Sequence, residues 1–309
     1  MRQTRIFGLL LALLISAPAG AQISTSNYEH NIVPGMMLAL PFMASDTFTP
    51  LHRDAMRLRG PVAEVRFTVY MKPELEGPDA DWTAGESGET LMLFDEHGCL
   101  TSLRQGKSLS IRVTSEYRTI NGVQVPASHT MSSTRGEGGE ISKVSLFSYD
   151  QAGRLALISS ADKSDTSGTA FEHADDGTPR QAIFTRPFED ESDAFVYNKD
   201  GRLIEMTTIP ETPRRMTITW LSPTQFELHQ GRADHPVLMG KGTLDDRGSL
   251  LNWTFRPPMR GPDMVRFRNE IIYDKHGNWT QIVSYTEAKP GEEQPSMPVV
   301  KYVRTITYR

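Results

Sequence analysis

Tyr273-Asp274-Lys275-His276-Gly277-Asn278-Trp279 reads as the end of one strand, a tight reversal and the start of the next. The same order recurs at Phe94-Asp95-Glu96-His97-Gly98-Cys99-Leu100 and Tyr149-Asp150-Gln151-Ala152-Gly153-Arg154-Leu155. Two more copies stand at Tyr197-Asn198-Lys199-Asp200-Gly201-Arg202-Leu203 and Leu244-Asp245-Asp246-Arg247-Gly248-Ser249-Leu250. In each, an apolar residue closes a strand, polar or small residues turn, and a glycine reverses the chain. Glycine adopts the positive φ that a bulged hairpin requires without steric cost. Asp or Asn near the turn's start accepts a hydrogen bond from a backbone amide two residues on. The flanking aromatic and leucine residues are good strand formers that pack across the hairpin. The glycines lie 55, 48, 47 and 29 residues apart, so the copies are degenerate and do not form a regular solenoid.

Between these turns the residues alternate. In Val62 to Tyr70, Val65, Phe67 and Val69 fall on one face and Arg66 and Thr68 on the other. Leu109 to Thr114, Arg215 to Trp220, Gln225 to His229, Leu250 to Phe255, Met264 to Tyr273 and Val299 to Tyr308 also read as strands. Acidic, Pro- and Gly-rich segments at Pro73–Ser87 and Ala288–Pro298 read as loops, and Ala161–Arg180 as a long hairpin with a disordered tip. Strand follows strand without the crossover helices that a parallel sheet needs. The expectation is an all-β protein: an extended antiparallel meander of hairpins with degenerate repeats and little helix near the N-terminus.

The N-terminus carries an export signal. Arg2 and Arg5 precede the apolar run Ile6 to Ile15, and Ala17-Pro18-Ala19-Gly20-Ala21 supplies the small residues of a cleavage site. Cleavage after Ala21 leaves about 288 residues, and losing Arg2 and Arg5 takes the formal charge from −5 to −7. That acidity argues against nucleic acid as a partner. No later stretch is long and apolar enough for a membrane helix. The organisation read from the chain is a signal peptide over 1–21, an N-terminal strap or short helices over 22–56, and an antiparallel β-sheet repeat domain over 57–309. The expected location is the periplasm or the extracellular space.

The turn copies resemble degenerate YD repeats of exported bacterial proteins related to the Rhs and wall-associated families. Tyr273-Asp274 with Gly277-Asn278-Trp279 carries the resemblance best, and Tyr149-Asp150 and Tyr197-Asn198 with their Gly-Arg-Leu ends share it. In Rhs proteins such repeats build a large β shell around a toxin. This chain is too short for a shell and shows no toxin or self-cleaving segment, so the resemblance bears on fold and not on activity.

Chemistry is sparse. The histidines (His30, His52, His97, His129, His173, His229, His235 and His276) form no HExxH and no His–Cys cluster. His97 and His276 hold the same place in two turns, which suits a polar turn residue. Asp245-Asp246 and Asp175-Asp176-Gly177 lack the ligand alternation of a calcium loop. No nucleophile elbow or Walker loop is present, and Gly35, Gly136, Gly138 and Gly139 lie outside a strand–helix context. Cys99, the one cysteine, cannot form an intrachain disulfide and reads as a buried thiol. No residue is assigned a catalytic, cofactor-binding or metal-binding role.

Trp253, Trp279, Tyr273, Phe255, Phe267 and Tyr285 crowd the C-terminal third, either as sheet core or as a concave surface for a glycan, a peptide or a lipid chain. The reading is a noncatalytic exported β scaffold that binds another envelope component (protein, glycan or lipid). The alternatives are an envelope hydrolase acting on glycan or peptide, and an immunity-like or chaperone-like binder of a secreted protein.

Overall fold

The computed structural model describes residue 53 and residues 58–72, 81–85, 89–106, 109–135, 141–161, 166–185, 192–209, 215–232, 235–256, 265–287 and 296–309. The signal peptide, nearly all of the N-terminal strap and much of the two acidic loops lie outside these residues.

The strands are β1 (Val62–Met71), β2 (Thr83–Ala84), β3 (Thr90–Phe94), β4 (Leu100–Gln105), β5 (Leu109–Ile120), β6 (Val123–Arg135) and β7 (Ile141–Tyr149). There follow β8 (Leu155–Ala161), β9 (Thr166–His173), β10 (Pro179–Thr185), β11 (Ser192–Tyr197), β12 (Leu203–Ile209) and β13 (Arg215–Trp220). The chain ends with β14 (Gln225–Arg232), β15 (His235–Leu244), β16 (Leu250–Phe255), β17 (Val265–Tyr273), β18 (Trp279–Glu287) and β19 (Met297–Tyr308).

From β3 to β19 each strand pairs antiparallel with the next. β1 then uses both of its edges. It pairs with β19 from Val62↔Tyr308 to Met71↔Val300, and with β3 from Glu64↔Leu93 to Phe67↔Thr90. The short β2 adds only to the end of β1. The result is a closed barrel of 18 strands, with β2 as an appendage.

Closure corrects two expectations. The sheet is not an extended open meander, and the YD-repeat, Rhs-like resemblance does not hold. The turn signature is a local device for joining antiparallel strands, and nothing in it states whether the first strand meets the last. Closure removes the unpaired edge amides and carbonyls that an open sheet would present to other chains.

The turns explain the signature's composition. Gly98, Gly153, Gly201, Gly248 and Gly277 take φ between 69° and 90°. The opening carboxylate or amide accepts the backbone N–H four residues on: Asp95 from Cys99, Asp150 from Arg154, Asn198 from Arg202, Asp245 from Ser249 and Asp274 from Asn278. The register shifts by one residue beside each turn, as a glycine bulge demands. A sixth such turn, Ala174 to Thr178 with Gly177 at φ 87°, lies within the segment read as a long hairpin. These turns share one rim with the start of β1 and the end of β19, where the Arg309 amide donates to Pro61 O at 2.9 Å.

Alternation sends apolar side chains inward. One cluster runs from Phe147 through Leu155, Phe171, Leu203, Ile218 and Phe226 to Trp253. A second joins Leu58, Val62, Val65, Phe94, Leu100, Ile111 and Met131. Leu203 and Val65 have no exposed surface. A round ring of 18 strands would leave a channel, and at these levels the inward side chains are covered. Within the first cluster Phe226 stacks on Trp253 at 5.7 Å, Trp253 on Phe255 at 6.2 Å and Phe255 on Phe267 at 5.8 Å. Gly240 and Gly242 of β15 make room for these rings. A Cβ at Gly242 would stand 2.5 Å from Phe226 Cζ, and one at Gly240 2.6 Å from Trp253 Cη2.

The outer face carries many charged side chains. Arg66, Arg112, Lys241, Arg266, Arg268 and Lys301 alternate with inward residues and point outward, among Glu64, Glu116, Glu227 and Glu270. A lipid-facing Arg or Lys near mid-bilayer costs about 2–4 kcal/mol. A belt of this many does not suit a wall immersed in lipid. Among the described residues no helix is long and apolar enough to cross a membrane, which says nothing about strands.

Candidate functional site: the inner wall around Arg304

Neither apolar cluster contains the middle of the inner wall formed by β18, β19 and β1. Here the register sets Ile282 and Val69 on either side of Tyr302, and Phe67 beside Arg304. All face inward with Val300, which is 2% exposed. Ile282, Tyr302, Val69 and Trp279 are only half-buried. Phe67 meets the Trp279 ring edge-on at 6.0 Å and stacks with Tyr302 at 6.3 Å.

Arg304 is the charged member of this wall and is 8% exposed. Its guanidinium carbon lies 3.4 Å from the Trp279 ring centre, and Nε donates to Trp279 O at 2.8 Å. Of the several N–H donors of a guanidinium, Nε alone has a hydrogen-bond acceptor among the described residues. No carboxylate there comes within ion-pair distance of Arg304. Burial brings the group down to about 9, against the upward pull of Asp274, Tyr308 and Tyr273. Two residues back, burial alone pushes the Tyr302 phenol up to about 12. Its hydroxyl has no hydrogen-bond partner among the described residues. Tyr302 is thus surrounded by protein yet keeps accessible surface, as a side chain lining an internal space does.

Sequence reasoning passed over Arg304 and Tyr302. The only available signal was a basic residue on the apolar face of a strand, since Arg304 shares a face with Tyr302 and Ile306.

The residues singled out in the sequence go elsewhere. Trp253, Phe255 and Phe267 are sheet core, while Trp279 lies under Arg304. Tyr285 points outward, donating to Glu270 at 2.9 Å beneath the Arg268 guanidinium. Tyr273 donates to Asp245 of the neighbouring turn, as Tyr117 does to Asp95 and Tyr308 to Asp274. His97 and His276 share a role: each ring lies against one of these tyrosines, His97 4.3 Å from Tyr117 and His276 4.1 Å from Tyr308. Cys99 is 1% exposed, and burial pushes its thiol up to about 12. Among the described residues no group of three or more His, Cys, Asp and Glu is placed to hold a metal ion.

Two further features lie on the outer face. An open depression of about 570 Å³ lies at the turn rim between β9 and β12, lined by Glu172, Asp176, Arg180 and Lys199 among others. On β7 and β8, Val144, Leu146 and Leu157 point outward and are 40%, 54% and 38% exposed.

No protein-family model matches the chain, and no curated protein matches it. Among solved structures it is similar to a porin-like protein from Bacteroides uniformis, at 11% identity and TM-score 0.42, over 81% of this chain and 98% of that one. It is also similar to TcdB2-TccC3, at 11% identity and TM-score 0.27, over 78% of this chain but only 16% of that one. Aeromonas veronii immune modulator A matches at 7% identity and TM-score 0.14, over 81% and 98% of the two chains. Likeness at this level assigns no function; the barrel rests on its own strand pairing.

Proposed function

We propose that this chain is an exported, noncatalytic β-barrel that binds an apolar or amphiphilic component of the cell envelope against its inner wall. The observation that carries the reading is the half-covered wall of Trp279, Ile282, Tyr302 and Val69, inside a barrel whose outer face is charged. A barrel with its apolar face inward and its charges outward is built to surround a ligand in water, and a lipid-embedded pore reverses that arrangement. The N-terminal signal sequence supports delivery to the envelope.

The test is saturable binding of N-phenyl-1-naphthylamine, a neutral apolar probe, to the purified mature chain. One site with quenching of Trp279 emission is the expected result. Replacing Ile282 by Trp, which fills the wall, should weaken binding at least fivefold. Absence of saturable binding would reject the reading. Recovery of a mature form beginning at Gln22 from the periplasm or medium tests the export half.

A second reading, a binder of a secreted protein, is favoured by Val144, Leu146 and Leu157. Exposed apolar side chains clustered on one outer face are a mark of protein contact. Leu146→Glu with Leu157→Glu should abolish co-purification of such a partner and leave probe binding intact.

A further inference from the structure

We infer that the inner wall selects amphiphiles with an anionic oxygen head group, held between the Arg304 guanidinium and the Tyr302 hydroxyl. The inference rests on the interior-binding reading above and names the ligand class of that site.

Arg304 is nine-tenths buried and stacked on the Trp279 ring, and among the described residues its terminal Nη donors have no hydrogen-bond acceptor. A buried cation without an anionic partner is unfavourable, and an anionic ligand would supply that partner. Nearby Asp274 is already engaged, accepting from the Tyr308 hydroxyl and from the amides of His276 and Asn278. It attracts Arg304 from a distance without bonding to it.

Tyr302 and Arg304 stand two apart on β19, hence on one face and about 6.7 Å apart along the strand. Both side chains therefore face the same stretch of the barrel interior. Both donors are anion-complementary: a guanidinium accepts nothing, and a phenol offers its proton to an oxyanion. An ammonium head group would meet like charge here. The alkyl portion would lie along Ile282, Val69 and the Trp279 ring, the half-covered apolar surface beside the two donors.

The experiment compares laurate, dodecyl phosphate, dodecanol and dodecylamine, each below its micellar concentration, by titration calorimetry on the mature protein. Laurate or dodecyl phosphate, whichever head group is preferred, should bind at least tenfold more tightly than dodecanol, and dodecylamine should bind most weakly. Arg304→Met should bring the anions to the level of dodecanol measured on the same variant. Equal affinity for all four in the wild type would overturn the head-group inference and leave the interior-binding reading standing. No binding by any of the four would overturn both. Unchanged anion binding by Arg304→Met would overturn the assignment to Arg304. If that variant does not fold, the wild-type series decides alone.

Discussion

Asn278 holds Arg59 across 219 residues of chain: its Oδ1 accepts the Arg59 amide at 2.7 Å, and its Nδ2 donates to the Arg59 carbonyl at 2.8 Å. The same Nδ2 lies 2.6 Å from the Tyr308 hydroxyl. Asn278 is 1% exposed, so each of these bonds replaces water that cannot reach it. It ties the segment entering β1 to the β17–β18 turn and the end of β19, at the seam where the ring closes.

Asn278→Ala should therefore destabilise the barrel by roughly 2–4 kcal/mol. Each lost bond is worth about 1 kcal/mol, and the Arg59 amide and carbonyl are left without their partner. The fall in urea midpoint measures it. Loss of less than about 0.5 kcal/mol would mean that the seam does not depend on this side chain.

Gly242→Ala tests the aromatic ladder. The added methyl would stand 2.5 Å from Phe226 Cζ and 3.1 Å from Trp253 Cε3, so the rings must shift. Overpacking of this kind costs about 1–3 kcal/mol. Thermal unfolding should report the loss, and near-UV circular dichroism should show altered packing of the tryptophans.

The Tyr308–Asp274 bond sets an acid limit. Burial acts to raise the Asp274 carboxyl, but the Tyr308 hydroxyl, the Asn278 and His276 amides and the His276 charge outweigh it and hold the group below its ordinary value. Since the folded pKa lies under the unfolded one, ionised Asp274 stabilises the fold above the unfolded pKa. That contribution is lost as pH falls through the folded pKa, below about 4. Tyr308→Phe removes one of the lowering contacts. Its acid unfolding, followed by far-UV circular dichroism, should begin at a higher pH than that of the wild type.

Cys99 should be inert while the protein is folded. With its thiol pushed up to about 12, the thiolate fraction at pH 8 is on the order of 1 in 10,000, and burial blocks access. Reaction with a disulfide reagent should be at least a hundredfold slower in the native protein than in urea. Equal rates would contradict the buried geometry.

The turns were legible because their chemistry is local. Asp274, Gly277 and Asn278 lie within five residues of one another, and the need for a positive φ and a capped amide is written in those residues alone. The inward face of β1 was legible for a similar reason, since alternation within a strand does not depend on its neighbour. The paired histidines were recognised as turn residues, but not their contact with Tyr117 and Tyr308, which arrive from other strands. The YD-repeat resemblance misled because it read a common hairpin device as a family mark.

By itself the sequence determined where the chain reverses and which side chains share a face, because backbone sterics and side-chain alternation act over a few residues. Only the tertiary structure decided that β1 meets β19, that the apolar face turns inward around a closed ring, and that Arg304 and Tyr302 stand side by side on its wall with no carboxylate partner among the described residues. Those outcomes depend on the summed twist and stagger of 18 strands and on contacts between residues more than 200 positions apart.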